Sequence, residues 1–177
     1  MAIKTMSHST GDGTWSKGWH QLTIDKAEYG DWNGKKFLDV WFEGYPKNFN
    51  LRIYEAINKE THEEFALAKF FKLANAGIID KVKSPSGKEA IQYDDDEKGL
   101  MGKLINAYFY KEGEYTRISD RIAPVAQKGE VLSYTTDDVL FWKGVTEKHE
   151  KKREEKNTPA VADTTAESSD ANQDIPF

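Results

Sequence analysis

The chain has 177 residues, no cysteine, and 25 Lys and Arg against 30 Asp and Glu, a net charge of −5. One ordinary domain with extensions fits that length, and the missing cysteines exclude disulfides and thiolate chemistry, as expected of a cytoplasmic protein. No run approaches the roughly eighteen apolar residues that span a bilayer, so no membrane association is expected.

Residues 1–14 are polar and rich in Ser, Thr and Gly. They lack the apolar stretch of a signal peptide and read as a flexible N-terminus. From residue 15 to about residue 145 the chain is dense in aromatic and β-branched residues and reads as globular. Residues 19–29 alternate, with Leu22 and Ile24 on one face. Asn33-Gly34 is a hairpin signal. Residues 36–45 alternate again. Leu38, Val40 and Phe42 share one face, and Phe37, Asp39, Trp41, Glu43 and Tyr45 share the other. After the turn at Pro46-Lys47-Asn48, residues 49–54 set Phe49, Leu51 and Ile53 against Asn50, Arg52 and Tyr54.

A helix is predicted next. Thr61 and Glu64 fit the N-cap and N3 positions of a capping box. Leu67, Phe70, Phe71 and Ala74 form a helical stripe, and Gly77 is placed to end it. Residues 84–98 read as a polar loop. Residues 103–111 and 115–122 read as two more strands, and residues 136–156 as a last helix, charged on every side in its second half. Three strands, a helix and two strands is the element order of the OB-fold, a five-stranded, partly open barrel. The fold class is therefore mainly β, with an ordered domain over residues 15–156 that includes the C-terminal helix.

The alternation also predicts a functional face. If one side of the strands packs the interior, the other displays Trp41, Tyr45, Arg52 and Tyr54, then Tyr108, Tyr110, Tyr115 and Arg117. Lys35 and Lys36 flank it in the first hairpin. Aromatic rings interleaved with cations suit single-stranded nucleic acid, because bases stack on rings and cations follow the phosphates. A one-residue slip of register would instead bury Trp41 or Tyr108.

Catalytic signals are weak. His8, His20, His62 and His149 share no ligand spacing, and His62-Glu63-Glu64 lacks the second histidine of a zinc helix. Asp94-Asp95-Asp96-Glu97 lacks the spaced ligands and glycine of a calcium loop. Ser86-Gly87-Lys88 lacks the preceding glycine of a phosphate-binding loop. No catalytic centre, metal site or cofactor is expected.

Residues 157–177 contain Asp163, Glu167, Asp170 and Asp174 and no Lys or Arg, a charge of −4. Removing those four leaves 26 acids against 25 bases, so the body carries only −1. Such a composition cannot offset its ordering entropy, and disorder is expected. The segment ends in Asp174-Ile175-Pro176-Phe177. An apolar pocket edged by Arg or Lys could take the terminal ring and carboxylate together.

That tip resembles the C-terminus of the bacterial single-stranded-DNA-binding (SSB) proteins, whose OB-fold core precedes a flexible acidic tail. The match covers four residues, and tail composition extends it to about twenty. Ala171-Asn172-Gln173 stands where the family usually carries further aspartates. The body resembles divergent phage-encoded members more than bacterial ones. The resemblance implies a non-enzymatic protein of the bacterial cytoplasm that coats single-stranded DNA. Its tip, Asp174, Ile175, Pro176 and Phe177, would recruit proteins of DNA replication, recombination and repair. The family includes monomers, dimers and tetramers, which leaves homo-oligomerisation open. Two rival readings are an interaction adaptor that binds protein rather than DNA, and a nuclease using the acids at 94–97.

Overall fold

A computed structural model describes residues 2–4 and 15–157. Most of the expected N-terminal segment lies outside the described residues. So does the chain beyond residue 157, including the Asp174–Phe177 tip.

Two long strands begin the fold. Strand β1 (Gly18–Trp32) turns through Asn33-Gly34 into β2 (Lys35–Phe42). Asn33 and Gly34 both have positive φ, 52° and 77°. That is the two-residue turn whose twist matches a hairpin, and it is why Asn-Gly is favoured there. Strand β3 (Leu51–Tyr54) follows. Later come β6 (Leu104–Glu112) and β7 (Tyr115–Ile118). These five form one sheet in the order β3-β2-β1-β6-β7.

Strand β1 serves both halves of that sheet. Residues 18–23 pair with β6, and residues 24–32 pair with β2. The register shifts between Ile24 and Lys26. A bulge of this kind bends a strand and re-aims its side chains. Leu22 and Ile24 point into the core before it, and Ala27 does so after it. Leu38, Val40 and Phe42 face the same core, as the alternation predicts, and so do Leu51 and Ile53.

The expected barrel is not closed. Strands β3 and β7 are the edges of the sheet, each hydrogen-bonded along one side. Each is four residues long. Edges that short offer few free backbone groups to a foreign strand.

Helix α1 (Ala66–Ala74) starts later than the capping-box reading, because Thr61 is not its cap. His62 has φ +62°, off the helical path. The Glu64 carboxylate instead accepts the N–H groups of Ala66, Leu67 and Ala68 at 2.9–3.0 Å. It also accepts the N–H of Ala56 at 3.0 Å, tying the helix start to the end of β3. Leu67, Phe70, Phe71 and Ala74 are buried as the stripe predicts. The helix ends at Asn75, in the left-handed conformation, two residues before Gly77.

Residues 84–98 are not a plain loop. Strands β4 (Ile78–Lys83) and β5 (Glu89–Tyr93) make a separate two-stranded hairpin. A 3-10 turn over Glu97–Leu100 follows it. The Asp94 and Asp96 carboxylates each accept a backbone N–H that shapes this turn. The hairpin buries little and carries many charges, so apolar periodicity does not betray it.

Helix α2 (Thr136–Asn157) begins with a reciprocal cap. The N–H of Asp138 donates to Thr135 Oγ1 at 3.1 Å, and the N–H of Thr135 donates to Asp138 Oδ2 at 2.8 Å. Among the described residues two compact units separate, one up to residue 143 and one from residue 144. The first holds both sheets, α1 and the first residues of α2. No helix among the described residues is long and apolar enough to cross a membrane.

Candidate nucleic-acid interface

The hydrogen-bond registers set the side chains of the outward face in rows. Across β1 and β2, Lys26 stands opposite Trp41, Glu28 opposite Asp39, and Gly30 opposite Phe37. Across β2 and β3, Asp39 stands opposite Arg52 and Phe37 opposite Tyr54. Side chains opposite one another on one face lie about 5 Å apart at Cβ, so these residues form one contiguous surface.

Cations and rings interleave on it. Lys26 Nζ lies 4.6 Å from the centroid of Trp41. The Arg52 guanidinium lies 3.8 Å from the centroid of Phe37, and Lys35 Nζ lies 5.6 Å from that of Tyr54. Phe37 and Tyr54 meet edge-on at 5.8 Å. At the hairpin tip Trp32, 61% exposed, joins Asn33, Lys35 and Tyr54 around a shallow hollow of about 310 Å³. Gly30 is required here, because a Cβ at that position would meet the Phe37 ring at 2.3 Å. The tip of the Phe37 ring fills the space that a side chain at position 30 would take.

The charges on this face are largely balanced. Arg52 holds the buried Asp39 through two hydrogen bonds of 2.7 and 2.8 Å. Its bonds to Asp39, and secondarily to Tyr54, raise the guanidinium's pKa further. Lys26 sits 3.6 Å from Glu28. The Trp41 indole donates its N–H to the Lys47 carbonyl at 2.9 Å, which fixes the ring's edge and leaves it half-exposed. The surface therefore offers positioned rings more than uncompensated positive charge.

The predicted site residues separate into groups. Lys35, Trp41, Arg52 and Tyr54 come together on the β1–β3 face. Tyr108, Tyr110, Tyr115 and Arg117 lie on β6 and β7. There Tyr110 stands opposite Arg117, and Arg117 pairs with Glu112 at 3.1 Å beside Tyr115. Tyr108 meets Trp19 of β1 edge-on at 5.3 Å.

Two predicted residues sit elsewhere. Strand β2 ends at Phe42, and Gly44 turns at φ +82°. Tyr45 therefore does not continue the Trp41 row. Its ring packs with Trp15, Phe49 and Phe109 at 5.3–6.0 Å, and burial raises its pKa. Lys36 lies 4.3 Å over the ring of Tyr29, which sits opposite Leu38 of the inward row, so it points away from Lys35.

Trp32, Phe37 and Lys26 complete the face but were not among the predicted site residues. The same two-residue period carries Phe37. Lys26 and Trp32 depend on the bulge in β1, which alternation alone does not reveal. No protein-family model matches the chain, and no curated protein resembles it significantly in sequence.

Proposed function

We propose that this protein binds single-stranded DNA without sequence preference and without catalysis, on the outward face of β1–β3. The observation that carries the reading is the row of three cation–ring pairs, Lys26 with Trp41, Arg52 with Phe37 and Lys35 with Tyr54, opening at the exposed Trp32. Every base has a stacking face, and stacking is worth about 1–3 kcal/mol per base. Rings held in place by cross-strand partners serve such binding without regard to sequence. The balanced charge argues for stacking over counterion release, hence a shallow salt dependence for this class.

The OB-fold reading is supported by the strand order, with β1 shared between a three-stranded meander and the β6–β7 pair. In that fold oligonucleotides lie on the face around the second and third strands. The Asp174–Phe177 tip would recruit replication, recombination and repair proteins, a role that rests on its sequence alone.

The test is tryptophan fluorescence during titration with oligo-dT at low salt. Quenching that saturates, and that weakens in Trp41→Ala, is expected. An unchanged signal from the folded protein would rule the reading out.

A further inference from the structure

A second group of rings and cations lies off the β1–β3 face. Lys69 of α1 lies 4.7 Å from the centroid of Trp142, and the neighbouring Lys143 lies 5.4 Å from that of Trp19. Trp19 in turn meets Tyr108 edge-on at 5.3 Å. Phe141, 62% exposed, stands edge-on to Trp142 at 5.2 Å. Lys69 is half-buried. Burial lowers its pKa, and the nearby Arg121 and Lys72 lower it further. Like charges gathered around a half-buried ammonium raise its free energy, and an anion set among them relieves that cost.

Strand β1 links the two places. Trp19, Lys26 and Trp32 all belong to its outward side, the first before the bulge and the others after it. Lys26 and Trp19 are seven residues apart, about 23 Å of strand. A polyanion that leaves the β1–β3 face along β1 is led to Trp19 and Lys143.

We propose that Lys69 and Lys143, with Trp142 and Trp19 against them, form a second binding site that takes a further stretch of the same single-stranded nucleic acid. The inference rests on the β1–β3 face taking the first stretch. The lysines hold phosphates, and the rings beside them offer stacking surfaces. The occupant is a nucleic acid rather than an acidic protein segment because rings alternate with the cations here as they do on the first face.

The experiment uses the full chain with dT oligomers of about four and about sixteen nucleotides, the ends of the range one such domain covers. The shorter is too short to reach both sites. In Lys69→Gln/Lys143→Gln, affinity for the longer oligomer should fall about tenfold. Its dependence of log K on log salt should flatten by about 1.4, or roughly 0.7 per lost phosphate contact. Affinity for the shorter oligomer should stay at the wild-type value, and Lys69→Arg/Lys143→Arg should bind both oligomers like the wild type. A double Gln variant that retains the wild-type melting temperature and binds the longer oligomer normally overturns the proposal. Equal loss for both oligomers overturns it too, since the lysines would then belong to the first stretch. Trp41→Ala separates the two readings. If it weakens the shorter oligomer while the lysine variant weakens neither, the second site fails and the first stands. If the wild type binds neither oligomer, both fail.

Discussion

Arg52 grips Asp39 through two hydrogen bonds while its guanidinium lies 3.8 Å from the centroid of Phe37. One side chain thus neutralises a nearly buried carboxylate and caps an aromatic ring. Asp39 is 8% exposed, so it depends on that partner. Arg52→Ala should cost about 1–3 kcal/mol of folding stability, the penalty of stranding a buried polar group. Arg52→Lys should recover only part of it, because an ammonium cannot match the planar fork. Urea unfolding of the two variants measures the difference. Equal stability for Arg52→Ala and wild type would refute the dependence.

The same pair restrains DNA binding on the proposed reading. Asp39→Asn keeps the shape but releases the Arg52 charge. Single-stranded DNA should then bind more tightly, with a salt slope steeper by about 0.7, one phosphate contact. Fluorescence titrations at several salt concentrations would show it. Weaker binding by Asp39→Asn would mean that the ion pair, not the free cation, is what the strand needs.

Trp41 and Tyr45 should behave differently although both belong to the alternating run of residues 36–45. Trp41→Ala should lower affinity by about 1–3 kcal/mol, one stacking contact. Tyr45→Ala should act chiefly on stability, through the cluster it shares with Trp15, Phe49 and Phe109. Measuring the melting temperature and the oligo-dT affinity of each variant separates the roles.

Glu64 should be worth more than its surface charge suggests. Glu64→Ala removes the acceptor of four backbone N–H groups, Ala56, Ala66, Leu67 and Ala68. The loss should be about 1–2 kcal/mol, the upper part of the range for a lost helix cap. Thr61→Ala should change stability by less than about 0.5 kcal/mol, as a surface substitution does. Denaturant midpoints of the two variants decide which residue caps α1.

Alkaline pH should unfold the protein cooperatively. Burial, as the first cause in each case, raises the pKa of Tyr29, Tyr45, Tyr93 and Tyr134 above the ordinary 10.0. The Tyr29 hydroxyl donates to the Asp95 carbonyl at 2.7 Å, and that of Tyr134 to the Lys72 carbonyl at 2.6 Å. A phenol whose folded pKa lies above its unfolded value contributes stability that is complete below pH 10 and is lost as pH rises beyond it. Tyrosinate absorbance from these four should therefore appear together with loss of the near-ultraviolet circular dichroism. Smooth titration of all eight tyrosines in a still-folded protein would contradict it.

The faces of the regular strands are legible from residue order alone. A period of two separates Leu38, Val40 and Phe42 from Phe37, Asp39 and Trp41 without knowledge of what pairs with them. Asn33-Gly34 likewise determined its turn, because few other residue pairs adopt two successive positive φ angles so readily. The buried stripe of α1 was legible for the same local reason.

The other features depend on partners distant in the chain. The bulge after Ile24 exists because one strand must pair with β2 on one half and β6 on the other, and it alone places Lys26 and Trp32 on the proposed face. Tyr45 left that face because β2 stops at Phe42 and an aromatic cluster takes its ring. Glu64 became the cap of α1 because it also answers the Ala56 N–H at the end of β3. The hairpin at residues 78–93 is held by backbone pairing with little buried apolar area, which leaves no periodic signal. Trp19 and Lys143 lie 124 positions apart in the sequence, and folding alone brings that cation onto that ring.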